Sequence, residues 1–137
     1  MAKATNLILT VVTPEKRLVS DLVVDQVWIP GAAGELNVLP GHAPLITTLD
    51  TGVLKYQAAG SQKIEKAVVS WGYCEVVGNQ VNLLTETVET KETIDRARAE
   101  QTLKVSLEKL SGKEALSDFD REKYQRKIRR AQNRLQL

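Results

Sequence analysis

All four prolines and seven of the eight glycines of this 137-residue chain lie before residue 88. Proline removes a backbone donor, and glycine weakens a helix by roughly 1 kcal/mol, so both break a chain into short elements. Residues 1–87 are therefore punctuated, while residues 88–137 are free to form long helices. Charge divides at the same place. The first part holds six Lys/Arg and eight Asp/Glu, a net of −2, and the second holds thirteen and nine, a net of +4. We place the boundary near Thr87-Val88-Glu89, which gives two domains, 1–87 and 88–137.

Within the first part, residues 7–12, 23–29, 53–58, 64–69, 73–77 and 81–84 are short runs rich in Val, Ile and aromatic residues, the composition of strands. Leu54, Tyr56 and Ala58 alternate with Val53, Lys55 and Gln57, as in a half-buried strand. Ala59-Gly60-Ser61 and Gly78-Asn79 read as hairpin turns. Several short strands at this spacing predict an antiparallel β-sandwich, or flattened barrel, that carries the main core.

The second part predicts helix, turn, helix. Thr93 is placed to cap the first helix, with Asp95 in the first turn, where negative charge is favoured. At 100° per residue, Ala99, Leu103, Leu107 and Leu110 fall within about 80°. Gly112 interrupts the run, and Ser117 with Asp120 has the pattern of a capping box. Tyr124, Ile128, Ala131 and Leu135 then form a second stripe. Two stripes on a short connection predict an antiparallel helical hairpin, and an α+β chain as a whole. A seam of a few hundred Å², at about 25 cal/mol per Å², yields only several kcal/mol before chain entropy is subtracted. The hairpin is thus expected to open where another surface offers equal burial.

Composition excludes several functions. Hydrophobic residues make up 42% and charged residues 26%, which is ordinary for a globular chain. No apolar run approaches the roughly 20 residues that cross a bilayer. The N-terminus lacks the apolar core and small-residue cleavage site of a leader, so a soluble, cytosolic chain is expected, meeting a membrane only through partners. Cys74 is the single cysteine, which excludes an internal disulfide, and it reads as a small half-buried strand residue. With His42 the sole histidine, the common zinc patterns are excluded and a catalytic thiol has one candidate base. No metal site is expected.

The most specific stretch runs from Ile29 to Leu45. Gly34 permits a tight turn into Glu35-Leu36-Asn37-Val38-Leu39, and Pro40, Gly41 and Pro44 stiffen a loop that presents His42. Gly34-Glu35-Leu36 followed by Leu39-Pro40-Gly41-His42-Ala43-Pro44-Leu45 resembles the signature of the epsilon subunit of bacterial F-type ATP synthase. Thr13-Pro14-Glu15, Asp50-Thr51-Gly52-Val53-Leu54 and Trp71-Gly72-Tyr73-Cys74-Glu75-Val76 extend the resemblance over essentially the whole chain, in order. The helical part diverges more.

The resemblance implies a non-catalytic rotor subunit of the central stalk of a proton-translocating enzyme, peripheral on the cytoplasmic face of the inner membrane. Its β-domain would sit at the foot of the gamma subunit and touch the c-ring, with Glu35 and His42 as contact residues for positioning and torque rather than proton chemistry. Ile94-Asp95-Arg96-Ala97-Arg98-Ala99 is similar to the pattern with which some bacterial epsilon subunits bind ATP. Arg130 and Arg134 match the second half of that site, and Glu89 matches an acidic position ahead of it. The arginines suit phosphate, Ile94 suits the face of an adenine, and a carboxylate suits its amino group or the ribose. No cofactor is required, and ATP would be a regulatory ligand. The bland reading of Asp95 and Arg98 is an ordinary exposed helix pair worth a few tenths of a kcal/mol. No phosphate loop for hydrolysis is present, Gly112-Lys113-Glu114 included.

Lys123, Lys127, Arg130 and Arg134 line one face of the second helix, with Arg126 nearby. A solvated charged face is the ordinary reading of such a run. The resemblance implies instead a latch, formed by Lys123, Arg126, Lys127, Arg130 and Arg134, that engages an acidic stretch of the catalytic beta subunits within the alpha/beta ring. A nucleic-acid-binding module is the competing class, because a basic helix neutralises phosphates. Trp28 and Trp71 lie in the acidic part of the sequence rather than among those basic residues, and no nucleic-acid partner is expected. A stand-alone enzyme has little support, with one histidine, one cysteine and no dense carboxylate cluster.

Overall fold

The computed structural model describes residues 6–112 and 115–137. The first five residues, read for a leader, and the pair Lys113-Glu114, read against a phosphate loop, lie outside the described residues. Seven strands precede two helices: β1 (Leu7–Val12), β2 (Arg17–Gly31), β3 (Gly34–Val38), β4 (Leu45–Leu49), β5 (Gly52–Ala58), β6 (Glu65–Val77), β7 (Gln80–Thr90), α1 (Arg96–Ser111) and α2 (Asp118–Leu135). The strands join in the order β1-β7-β6-β4-β2-β3, with β5 bonded to both β2 and β6 and β1 also bonded to β2. That last pairing closes the sheet on itself and produces the expected sandwich. Its pairings are antiparallel except one, since β1 runs parallel to β7.

Strict alternation in β1 sends Leu7, Leu9 and Val11 inward, where they meet Val24, Val27, Ile29, Leu54, Val69, Cys74, Val76, Val81 and Leu83 in one core. β6 behaves differently. Ala67 and Val69 face the core in its first half, but Cys74 and Val76 do so in its second, so the inward phase shifts by one residue. The shift occurs at Trp71 and Gly72, which have φ of 49° and 135°. Two predicted strands, 64–69 and 73–77, are therefore one strand that turns over in the middle. β4 escaped the sequence reading because Ile46, Thr47 and Thr48 show no apolar alternation, and β2 begins six residues before its predicted start. β7 continues to Thr90, three residues past the expected boundary, so the change from strand to helix falls at residues 91–95.

The cap of α1 also differs from expectation. Asp95 is the N-cap, its carboxylate accepting the Arg98 N–H at 3.0 Å. Thr93 instead closes the turn after β7, its hydroxyl accepting the Thr90 N–H at 2.9 Å. Ser117 caps α2 through the Asp120 N–H at 3.1 Å, as the capping box predicts. Small residues, Ala99, Ser106 and Ala131, are the buried positions of the helix seam. Leu107, placed in the seam by its angle, is 48% exposed, whereas its neighbour Ser106 is buried at 2%. The hairpin does not stand free, since α2 lies against β5 and β6.

Candidate functional site

Three separated segments meet in one cavity of about 420 Å³, lined by Glu89, Thr93, Asp95, Arg98, Thr102, Lys127, Arg130 and Arg134. Its size falls within the roughly 300–1,000 Å³ range of small-molecule sites. Glu89 comes from the end of β7, Asp95 and Arg98 from the start of α1, and the basic residues from α2. Four cations face two carboxylates, so the lining is net positive and suits an anion. One Glu89 oxygen accepts from Arg134 Nε at 3.0 Å and Nη2 at 2.7 Å, and lies 3.5 Å from Arg130 Nη2. Arg130 Nε is buried with no hydrogen-bond partner among the described residues. An oxyanion entering the cavity would share the Arg130 and Arg134 guanidinium groups with Glu89.

Five of the seven residues assigned to a nucleotide by sequence thus converge. Ile94 and Ala99 are not among the lining residues: Ile94 is half-buried ahead of the cap, and Ala99 faces the helix seam at 1% exposure. Sequence reading missed Thr93, Thr102 and Lys127 as lining residues. Helical spacing carried a signal for two of them, since Thr102 follows Arg98 by four residues and Lys127 precedes Arg130 by three.

The residues read as a latch divide into two groups. Arg126 lies over the Trp71 ring, 5.2 Å from its centroid, and pairs with Glu122 at 2.7 Å, while Arg130 and Arg134 engage Glu89. Lys123 and Lys127 stay exposed beside the Tyr124 ring, 5.8 and 5.7 Å from its centroid. In this conformation part of the basic face is turned toward the sandwich.

Glu35 and His42 are not brought together. Glu35 sits at the β2–β3 turn, 3.6 Å from Lys55 Nζ, and His42 lies beyond the far end of β3, its Nδ1 2.7 Å from the Ala43 carbonyl. Elsewhere Ile46, Tyr73, Val77 and Leu84 are 74%, 45%, 52% and 39% exposed on the outer faces of β4, β6 and β7. Tyr73 is in register with Leu84, so these two exposed apolar side chains sit side by side, whereas Glu75 separates Tyr73 from Val77 and stands opposite Ile46. Burial, with Glu75 adding to it, pushes the Cys74 thiol up to about 12, so at neutral pH it is protonated and unreactive. Among the described residues, no group of three His, Cys, Asp or Glu side chains is placed to hold a metal ion, and no helix is long and apolar enough to cross a membrane.

Residues 6–91 match the family described as ATP synthase, Delta/Epsilon chain, beta-sandwich domain. The ATP synthase epsilon chain of Bdellovibrio bacteriovorus is 46% identical over 121 residues, covering 88% of this chain and 86% of that one. The chain belongs to the ATP synthase epsilon family. The epsilon chain of Carboxydothermus hydrogenoformans is 48% identical over 103 residues, 75% of each chain. A chain in the Euglena gracilis mitochondrial ATP synthase assembly of OSCP, F1 and c-ring has the same fold. It superposes with a TM-score of 0.86 at 21% identity, over 99% of this chain and 82% of its own. Membership in the epsilon family makes this a non-catalytic subunit, in line with the sequence reading.

Proposed function

We propose that this epsilon-family chain is the rotor subunit that joins the gamma subunit to the c-ring, and that its helical hairpin restrains ATP hydrolysis under the control of bound ATP. The observation that carries the regulatory part is the convergence of Glu89, Asp95, Arg98, Arg130 and Arg134, distant in sequence, on one positively charged cavity. Arg98, Arg130 and Arg134 would hold phosphates, and the cavity spans both helices, so a ligand there favours the closed hairpin. The beta-subunit latch would be the same helix α2 when it leaves the sandwich, exposing Lys123, Arg126, Lys127, Arg130 and Arg134 to an acidic surface.

The sandwich supplies the fixed attachment. The apolar patch around Tyr73 and Leu84 is a suitable seat for gamma, while Glu35 and His42 remain candidates for the c-ring, as separate contacts rather than one cluster. The chain would then sit peripherally on the cytoplasmic side of the membrane that holds the c-ring. Titration calorimetry with ATP tests the ligand: Arg98→Ala and Arg134→Ala should each weaken binding at least about tenfold, the scale of a charge-assisted contact. Absence of heat with the wild-type chain would remove ATP from the account. A pull-down on gamma, with and without ATP, tests the attachment.

A further inference from the structure

On the flank of α2 away from the cavity, the helix is fastened to the sandwich a second time. Arg129 Nη1 lies 3.0 Å from each Asp50 oxygen, joining residues 79 apart in sequence. The Thr51 N–H donates to Asp50 Oδ1 at 2.7 Å, which fixes the carboxylate in the β4–β5 turn. Beside it Arg126 covers Trp71, a residue held at the β6 turnover with φ of 49°. Val68, 1% exposed, is buried outside the main core cluster on β6, the strand against which α2 lies. Arginine contacts thus add to that apolar contact in holding the dock, and they come from the helix that a partner latch would use.

We infer that Asp50 and Trp71 form a clasp that holds α2 on the sandwich independently of the nucleotide cavity, so that ionic strength, as well as ligand, sets how often the hairpin leaves. Asp50 and Arg129 are 37% and 52% exposed, which leaves their pairing open to screening by salt. Latch binding as read above takes α2 off the sandwich and so draws Arg126 away from Trp71, which makes docking and latch binding alternatives. That consequence rests on the latch reading above, whereas the clasp does not.

Trp71 reports on the clasp directly, because departure of Arg126 uncovers its ring. Acrylamide quenching of Trp71 is measured in the full chain carrying Trp28→Phe, or, where that background is unstable, as the difference between wild type and Trp71→Phe. Asp50→Asn retains an acceptor for Thr51 but removes the charge. It should raise the undocked-to-docked ratio about two- to fivefold, the range for a partly exposed ion pair. Raising NaCl from about 20 to about 500 mM should do the same in wild type and add less in Asp50→Asn, where only the less exposed Glu89 pairs remain to be screened. Arg129→Gln should match Asp50→Asn, and the double variant should go no further. Equal quenching in wild type and Asp50→Asn at every salt concentration, with unchanged thermal melts, overturns the clasp, as do fully additive effects. ATP titrated into the same samples separates the two ideas. A quenching shift without ATP binding sinks only the nucleotide reading, and ATP binding without the shift sinks only the clasp.

Discussion

At Gly72 the backbone sits at φ 135°, and a Cβ there would run into the Leu84 carbonyl on the neighbouring strand. Both the conformation and the space require glycine, and the turnover of β6 depends on them. Gly72→Ala should destabilise the chain by about 3 kcal/mol or more, which thermal unfolding followed by circular dichroism would read as a Tm lower by about 10 °C or more. Cys74 gives a second residue-scale expectation. Its thiol, raised from 9.0 to about 12 by burial, should resist alkylation at neutral pH until denaturant is added. The folded chain holds that proton longer than the unfolded one. The thiol's contribution to stability is therefore complete below about 9 and lost as pH climbs toward about 12, measurable as a falling Tm over that window.

α1 begins with a side chain that has two tasks. Asp95 caps the helix and also lines the cavity, and the two roles separate by substitution because asparagine caps as well as aspartate. Asp95→Asn should leave helical ellipticity and Tm nearly unchanged while altering ATP affinity, whereas Asp95→Ala should cost about 1 kcal/mol of helix stability as well. Unchanged affinity in Asp95→Asn would reduce Asp95 to a cap. The hairpin turns and the capping box of α2 were readable because each depends on residues within a few positions. β4 and the full length of β6 were not, because Ile46, Thr47 and Thr48 show no apolar alternation and the inward phase of β6 changes at Trp71 and Gly72.

At the scale of the molecule, the end of β7 at Thr90 fixes where the parts can be separated. Truncation after residue 90 should keep the sandwich folded and bound to gamma while relieving inhibition of hydrolysis. Removal from residue 88 would cut a strand that carries buried Val88. Hydrolysis unchanged by truncation after residue 90 would count against the latch. Tyr73→Ser with Leu84→Ser should weaken capture of gamma about tenfold or more at little cost in Tm, since both side chains are exposed in the free chain. Capture at wild-type strength would move the gamma seat elsewhere.

The sequence by itself determined the division into sandwich and hairpin, because glycine, proline and apolar periodicity act over a few residues and the ladders they permit are local. It also supplied the family resemblance, and the arginines and carboxylates of the candidate cavity. Only the tertiary structure decided that Ile94 and Ala99 leave that cavity while Thr102 and Lys127 enter it. It likewise decided that Glu89 occupies the arginine pair, and that Asp50 and Trp71 meet α2. Those contacts join residues dozens of positions apart. Their geometry follows from how the hairpin lies on the sheet, which no local pattern in the chain encodes.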